Sequence, residues 1–276
     1  MSSYEFDIEY ENYKYNEQVT GLQFGLMSPS MIRQMSSCKV EFPDTFDGDE
    51  PKTNGLFDPR MGVIDPGKEC DTCNNNIYLC NGHAGHIDLA LPIWNTNFIN
   101  SLKDFIPKIF RCICYKCSNL LINKSDPIIM KKVMKKSRLT RFQTVYELSD
   151  KVKACENNDC CGYMQPTRYT RKKDDINSFH IIGTIKKGKH KTAPTEKILI
   201  KPEYGLKLLS RLSDEDIRIL GFDPEFSRPE WLVMTAFPVA PPSIRPSVKQ
   251  DNSQRREDDL TYALINVVKA NKDLSD

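Results

Sequence analysis

The residues of this chain that could do chemistry are soft ligands in close succession. CDTCNNNIYLCNGHAGH, from Cys70 to His86, holds three cysteines and two histidines in seventeen residues. Zinc takes four donors at tetrahedral corners, about 2.3 Å away for sulfur and about 2.0–2.1 Å for imidazole nitrogen, and a two-residue spacer lets one turn present two of them. Cys70 and Cys73 make one such pair, and Cys80 and His83 a second, with turn-forming Asn74–Asn76 between them. These four would close a structural Cys3His site. His86 is the alternative to His83, because Gly82 and Gly85 precede the two histidines in the same rhythm.

A second cluster is spread more widely. RCICYKC, Arg111 to Cys117, offers Cys112, Cys114 and Cys117, and CENNDCC, Cys155 to Cys161, offers Cys155, Cys160 and Cys161. Cys114 and Cys117 keep the two-residue spacing. Cys112 sits in an apolar-alternating stretch and reads as a buried thiol, since a free cysteine behaves as a small hydrophobe. Cys155 needs a partner from Cys160 or Cys161, and Gly162 supplies the permissive backbone of a knuckle behind Cys161.

Scattered core thiols are a poor alternative when two CxxC pairs each have a further ligand pair downstream. A catalytic zinc would keep an open position and a general base, and neither HExxH nor HxE…PCxxC occurs. Each closed site contributes on the order of 10 kcal/mol of apparent binding energy, against a domain stability of about 5–15 kcal/mol. Metal then decides whether the region folds.

The elements that must hold these ligands belong to a globular chain. With 276 residues, 39% hydrophobic and 28% charged, it suits two domains or one elongated domain with a satellite. The first eighteen residues are acidic and tyrosine-rich, unlike a secretory signal, and nowhere do eighteen apolar residues follow one another. A soluble intracellular protein without membrane contact is expected, and in a reducing compartment its ten cysteines point to metal rather than disulfides.

Charge is unevenly spread. Residues 121–191 carry seventeen Lys and Arg against seven Asp and Glu, a balance of +10, and the remainder carries 22 against 30, which is −8. KKVMKKSRLTR, with Lys131, Lys132, Lys135 and Lys136, should lie on a helix capped by Asp126 with Pro127 at its first position. RYTRKKDD and KKGKHK follow it. Basic runs around a zinc site in an otherwise acidic chain point to a polyanion, nucleic acid first.

Further on, Ser213 should cap a short helix that ends at Gly221, forming a helix-turn-helix scaffold. Residues 231–237 read as a buried strand, and PVAPPSIRPSV as an extended, polyproline-like path. A last helix, with acidic 257–259 at its start, shows Leu260, Ala263, Leu264, Val267 and Val268 on one face that needs a partner surface.

LFDPRMGVIDPGKECDTCNNNIYLCNGHAGHIDLALPIW, RCICYKCSNLL, CCGYMQPT, LGFDPEFSRPEWLVMTAFPVAPPSIRPSV and NSQRREDDLTYALINVVKAN resemble successive landmarks of the N-terminal part of the largest subunit of DNA-directed RNA polymerase, of the eukaryotic RNA polymerase II type. The likeness runs from Val19 to the last residues. It implies an α+β fold, the multisubunit RNA polymerase clamp, irregular with short helices and small sheets. Residues 19–95 would begin the clamp core with the first zinc site, 96–200 would form a clamp head with the basic face and second site, and 201–276 would return to the core. The acidic tail, 1–18, stands apart.

The resemblance also implies two structural Zn2+ ions, on Cys70, Cys73, Cys80 and His83, and on Cys114, Cys117, Cys155 and Cys161. A lid that keeps nascent RNA from the template would fall on Arg245–Asp259, with Arg245, Arg255 and Arg256 toward nucleic-acid backbone, and a zipper on Cys38–Gly48. Implied partners are the second-largest subunit, the rest of the largest subunit, the DNA template and nascent RNA. The aspartate-rich NADFDGD loop that holds catalytic Mg2+ in the complete polymerase has no counterpart in this sequence, so the chain alone should be inactive. Asn81 and Ala84 replace proline and phenylalanine of the family's CPGHFGH turn, and Cys160 stands where glycine is usual. The competing readings are a stand-alone zinc-dependent nucleic-acid-binding transcription factor and a zinc hydrolase. The host compartment would be a nucleus, or the cytoplasmic factory or virion of a large DNA virus.

Overall fold

A computed structural model describes residues 20–99, 105–156, 161–171, 180–186, 194–249 and 255–276. The acidic tail, Cys160, basic Lys172 and Lys173, the run 187–191, and residues 250–254 of the expected lid lie outside the described residues. Among the described residues no helix is long and apolar enough to cross a membrane.

The order of elements is α1 (Pro29–Met35), β1 (Cys38–Lys39), β2 (Phe46–Asp47), β3 (Glu50–Pro51), β4 (Gly85–Trp94), α2 (Thr96–Ile99), α3 (Phe105–Cys112), α4 (Pro127–Met134) and α5 (Arg138–Ser149). There follow β5 (Arg168–Arg171), β6 (Ile181–Lys186), β7 (Thr195–Ile200), α6 (Pro202–Leu209), α7 (Asp214–Ile219), β8 (Val233–Val239), β9 (Val248–Lys249), β10 (Arg255–Arg256) and α8 (Asp259–Ser275). This is a mixed α+β fold of short helices and small sheets.

Strand β4 is the spine. It pairs in parallel with β1 and antiparallel with β8. One end of the β4–β8 pair, through Trp94 and Val233, enters a core shared by α3, α5, β5–β7 and α6–α7. The other end, through Ile87 and Val239, enters a second core with Val40, Leu56, Met61 and Val268. The first core therefore draws on residues from both sides of position 200.

The β4 ladder is broken by a bulge between Asp88 and Ile93, which leaves backbone groups that an intact ladder would pair. Asn271 of α8 fills the gap. Its Nδ2 donates to the Asp88 carbonyl at 2.8 Å, and its Oδ1 accepts from the Ala90 amide at 2.8 Å. The same docking packs Leu264, Val267 and Val268 on the second core, while Leu260 and Ala263 stay exposed. Most of the apolar stripe of α8 thus finds its partner within the chain.

The caps follow the sequence. Asp126 accepts from the Ile128 amide, Ser213 from the Asp216 amide and Asp258 from the Leu260 amide. Two elements differ from expectation. The basic segment is two helices, because Ser137 starts α5 and Arg141 Nη2 caps the Met134 and Lys136 carbonyls at 3.5 and 3.2 Å, ending α4. The proline stretch turns instead of extending: Ile244 and Arg245 amides donate to the Pro241 and Pro242 carbonyls, both at 3.1 Å. Proline's fixed φ suits a turn as well as an extended path.

Gly205 lies inside α6, where alanine is normally preferred. A Cβ there would meet the Trp94 indole at 2.0 Å. Gly205→Ala should therefore destabilise the chain by about 1–3 kcal/mol through overpacking, in spite of its higher helix propensity, as a loss of urea midpoint will show.

Candidate metal centres

The first centre hangs on a loop ordered by Asp58. This fully buried carboxylate accepts from the Asn54 and Arg60 amides at 2.6 and 2.9 Å and from the Arg60 guanidinium at 2.7–2.9 Å. Burial pushes its pKa up, and these donors outweigh that and hold it below the ordinary aspartate value. Asp58 caps the 3₁₀ turn Pro59–Met61, and the Met61 carbonyl then receives the His83 amide at 2.8 Å. Around the ligands, the Cys70 and Asn75 backbones close one knuckle, with the Cys70 amide donating at 3.0 Å, and the Cys80 amide donates to the Asn76 carbonyl at 2.9 Å.

Gly82 adopts φ +84, and a Cβ on it would strike Ser243 Oγ at 2.6 Å and Pro241 at 2.7 Å. The turn between Cys80 and His83 is thus pressed against the proline segment, and Ser243 Oγ donates to the Asn81 carbonyl at 3.3 Å.

Donor atoms of Cys70, Cys73, Cys80 and His83 all lie within 4.8 Å of one another. His83 Nε2 is buried with no hydrogen-bond partner among the described residues, as a nitrogen that awaits a ligand would be. The facing His83 imidazole, with the Asn75 amide, draws the Cys73 thiol down to about 6. Burial pushes the Cys80 thiol up to about 11. His86 is absent from the cluster: it lies in β4, its Nδ1 2.7 Å from Ser36 Oγ.

The second centre is two knuckles face to face. The Ile113–Leu120 bridge closes the first, where the Cys114 amide donates to Asn119 at 2.8 Å and Ser118 takes φ +66. The Ala154–Met164 bridge closes the other, with the Cys155 amide donating to Tyr163 at 3.0 Å. Donor atoms of Cys114, Cys117, Cys155 and Cys161 fall within 4.8 Å of one another. Cys114 and Cys161 sulfurs are 3.4 Å apart, and those of Cys117 and Cys155 3.7 Å. Four sulfurs about 2.3 Å from one ion are spaced by about 3.8 Å, so the donor set fits a tetrahedral thiophilic cation.

Sequence reasoning missed Gln165. It is 2% exposed, its Nε2 donates to Cys114 Sγ at 3.1 Å and its Oε1 accepts from the Tyr115 amide at 3.3 Å. It locks one knuckle to the other and supports a ligand from outside the first shell of donors. Its place between the CCGYM run and Pro166 was the available signal. Cys112 is fully buried and outside the cluster.

The chain matches the family described as RNA polymerase Rpb1, domain 1, over residues 16–276. It belongs to that family. It is also similar to the DNA-directed RNA polymerase subunit Rpo1N of Methanocaldococcus jannaschii, with 34% identity covering 96% of this chain. The chain spans 19% of the length of that relative. It is the N-terminal part of a largest RNA polymerase subunit.

In this Rpb1 domain the basic residues divide. Lys131, Lys132, Lys135 and Lys136 are all exposed on α4 and the link to α5, and Arg256 is exposed on β10. Arg255 is mostly covered: its Nη2 reaches Asp65 at 2.5 Å and its guanidinium lies 4.6 Å over the Phe46 ring. Arg245, expected to face nucleic acid, is 0% exposed. It donates through Nε to the Ala240 carbonyl at 2.7 Å, through Nη1 to Thr261 Oγ1 at 3.4 Å and through Nη2 to the Leu56 carbonyl, 5.0 Å over the Phe57 ring. Burial lowers its pKa to about 10, so it keeps its charge at neutral pH. The turn of the proline segment is what carries it inside, where at 0% exposure it meets no phosphate from solvent.

Arg245→Ala should thus cost about 3 kcal/mol of stability by stranding buried carbonyls, with nucleic-acid affinity per folded molecule unchanged in a filter-binding titration. For the centres, elemental analysis of native chain should return two equivalents of zinc. A strong chelator should abolish its near-ultraviolet dichroism, since each site is worth on the order of 10 kcal/mol.

Proposed function

We propose that the chain is the clamp of a multisubunit DNA-dependent RNA polymerase, closing over DNA and RNA in the cleft during transcription. What carries this reading is membership of the Rpb1 domain 1 family along 16–276 in a chain with two closed four-donor clusters. Cys70, Cys73, Cys80 and His83 would hold one Zn2+, and Cys114, Cys117, Cys155 and Cys161 the other. Zinc bound there supplies a rigid cross-link and no reaction step, because four protein donors leave no open coordination position.

In this proposal residues 19–95 and 201–276 form the clamp core and 96–200 the head. The partners are the second-largest subunit, the remainder of the largest subunit, the DNA template and nascent RNA. Nucleotidyl transfer would take place only in that assembly, on Mg2+ held by other residues. The family match gives no support to a stand-alone transcription factor.

The α4–α5 lysines supply the nucleic-acid contact. All four are exposed, and no carboxylate of the described residues pairs with them. Such point charges act on the phosphate backbone without reading sequence. Each contact released shifts the slope of log K against log salt by about 0.9 on duplex DNA. Replacing Lys131, Lys132, Lys135 and Lys136 together by alanine should weaken duplex binding and flatten that slope by up to about 3.6. An unaltered slope would return them to an inert solvated face.

A further inference from the structure

A small cleft in the zinc-bearing lobe has polar groups that nothing in the fold uses. It lies between α3, the end of α5 and β5, encloses about 170 Å³, and is lined by Lys108, Arg111, Tyr146, Asp150, Arg168 and Tyr169 among others. Its volume is far beyond the ~10–15 Å³ that one water needs, and short of the ~300 Å³ at which pockets for larger organic ligands begin.

Two residues of its lining carry a buried donor without a partner. Arg111 is 5% exposed; its Nε donates to Asp150 Oδ1 at 3.1 Å and its Nη2 to the Asp150 and Val152 carbonyls at 2.5 and 3.3 Å. Those bonds fix the guanidinium plane and leave Nη1, which is buried with no partner among the described residues. Tyr169 is 8% exposed, and its hydroxyl is likewise buried and unpartnered. Burial drives the phenol pKa upward, so the group stays a neutral O–H donor. An unsatisfied buried donor costs about 1–3 kcal/mol, more when charged. Two in one lining are open to a common acceptor.

The charges lining the cleft select its sign. Lys108, its ammonium 5.6 Å over the Tyr146 ring, half covers one side, and Arg168 stands exposed on another. Asp150 is the single carboxylate of the lining, and Arg111 already occupies it. Three cations against one anion favour an anionic guest. The Thr167 hydroxyl is committed to the Thr184 carbonyl at 3.1 Å, so it does not compete.

We propose that this cleft binds a tetrahedral oxyanion, a phosphoryl-type group, seated between Arg111 Nη1 and the Tyr169 hydroxyl with Lys108 at its mouth. The group comes from free phosphate or from a nucleic-acid backbone; the two share the chemistry. Neither donor is a zinc ligand, and the site does not depend on the four α4–α5 lysines.

Inorganic phosphate titrated calorimetrically into the full zinc-loaded chain, at constant ionic strength against chloride, should show one saturable site. Tyr169→Phe and Lys108→Ala should each weaken it about tenfold, the worth of one hydrogen bond to a charged group. Without phosphate, Tyr169→Phe should not lower the melting temperature, because it deletes a hydroxyl that bonds to nothing. In a second arm, displacement of phosphate by a short single-stranded oligonucleotide assigns the group to a backbone, and retention assigns it to free phosphate; both keep the site. Phosphate behaving as chloride does, or binding both variants as tightly as the parent chain, overturns the proposal and leaves the cleft to water.

Discussion

Four sulfurs gathered with spacings of 3.4 and 3.7 Å are the constraint on which the lobe around Cys114, Cys117, Cys155 and Cys161 rests. Thiolates held that close repel one another, and neutral thiols make weak hydrogen bonds. Apart from a cation, little would oppose the opening of knuckles closed by the isolated bridges Ile113–Leu120 and Ala154–Met164. The cluster of Cys114, Leu121 and Cys155 is too small a core to hold them by burial. A tetrahedral ion would turn the repulsion into the strongest tie in the lobe and release the chain from needing long regular elements.

The first centre does similar work by a longer route. Asp58 orders the Pro59–Met61 turn, Met61 holds the His83 amide, and Gly82 lets the ligand turn lie flat on Pro241 and Ser243. The proline segment then turns Arg245 inward onto the Leu56 and Ala240 carbonyls and onto Thr261 of α8. Metal loop, proline turn and last helix are thereby one mechanical unit. Asn271 completes it at the opposite end of α8, where the bulged strand β4 would otherwise carry unpaired backbone.

How much of this could be read from the sequence depends on the range of the interaction. Ligand spacing is local, and Cys70, Cys73, Cys80, His83, Cys114 and Cys117 could be grouped by it; so could the caps at Asp126 and Ser213. The choice of Cys161 over Cys160 rested on one glycine and on resemblance, and the structure brings Cys161 to the cluster while Cys160 lies outside the described residues. Arg245 was misplaced because its burial depends on carbonyls 189 and 5 positions away, which no periodicity encodes. Asn271 escaped for the same reason, since a bulge some 180 residues earlier creates its role. The break between α4 and α5 was hidden by a run of good helix formers, and only a serine at 137 announced it.

One division of labour unites these findings. The arginines Arg60, Arg111, Arg141, Arg245 and Arg255 are engaged by the fold, each with two or more donors on carbonyls or carboxylates or stacked on a ring. The lysines of α4 and its link to α5 stand in solvent. The planar, delocalised guanidinium fork loses less on burial and spans several acceptors at once, whereas an ammonium is strongly hydrated and best left outside. The forks of these five arginines, which could otherwise recognise base edges, are taken up by the fold, and the α4 lysines offer point charges that attract a polyanion without reading its sequence. Contacts made by lysine alone are weak singly and screened by salt, so under the proposed function they would leave a bound polyanion free to slide.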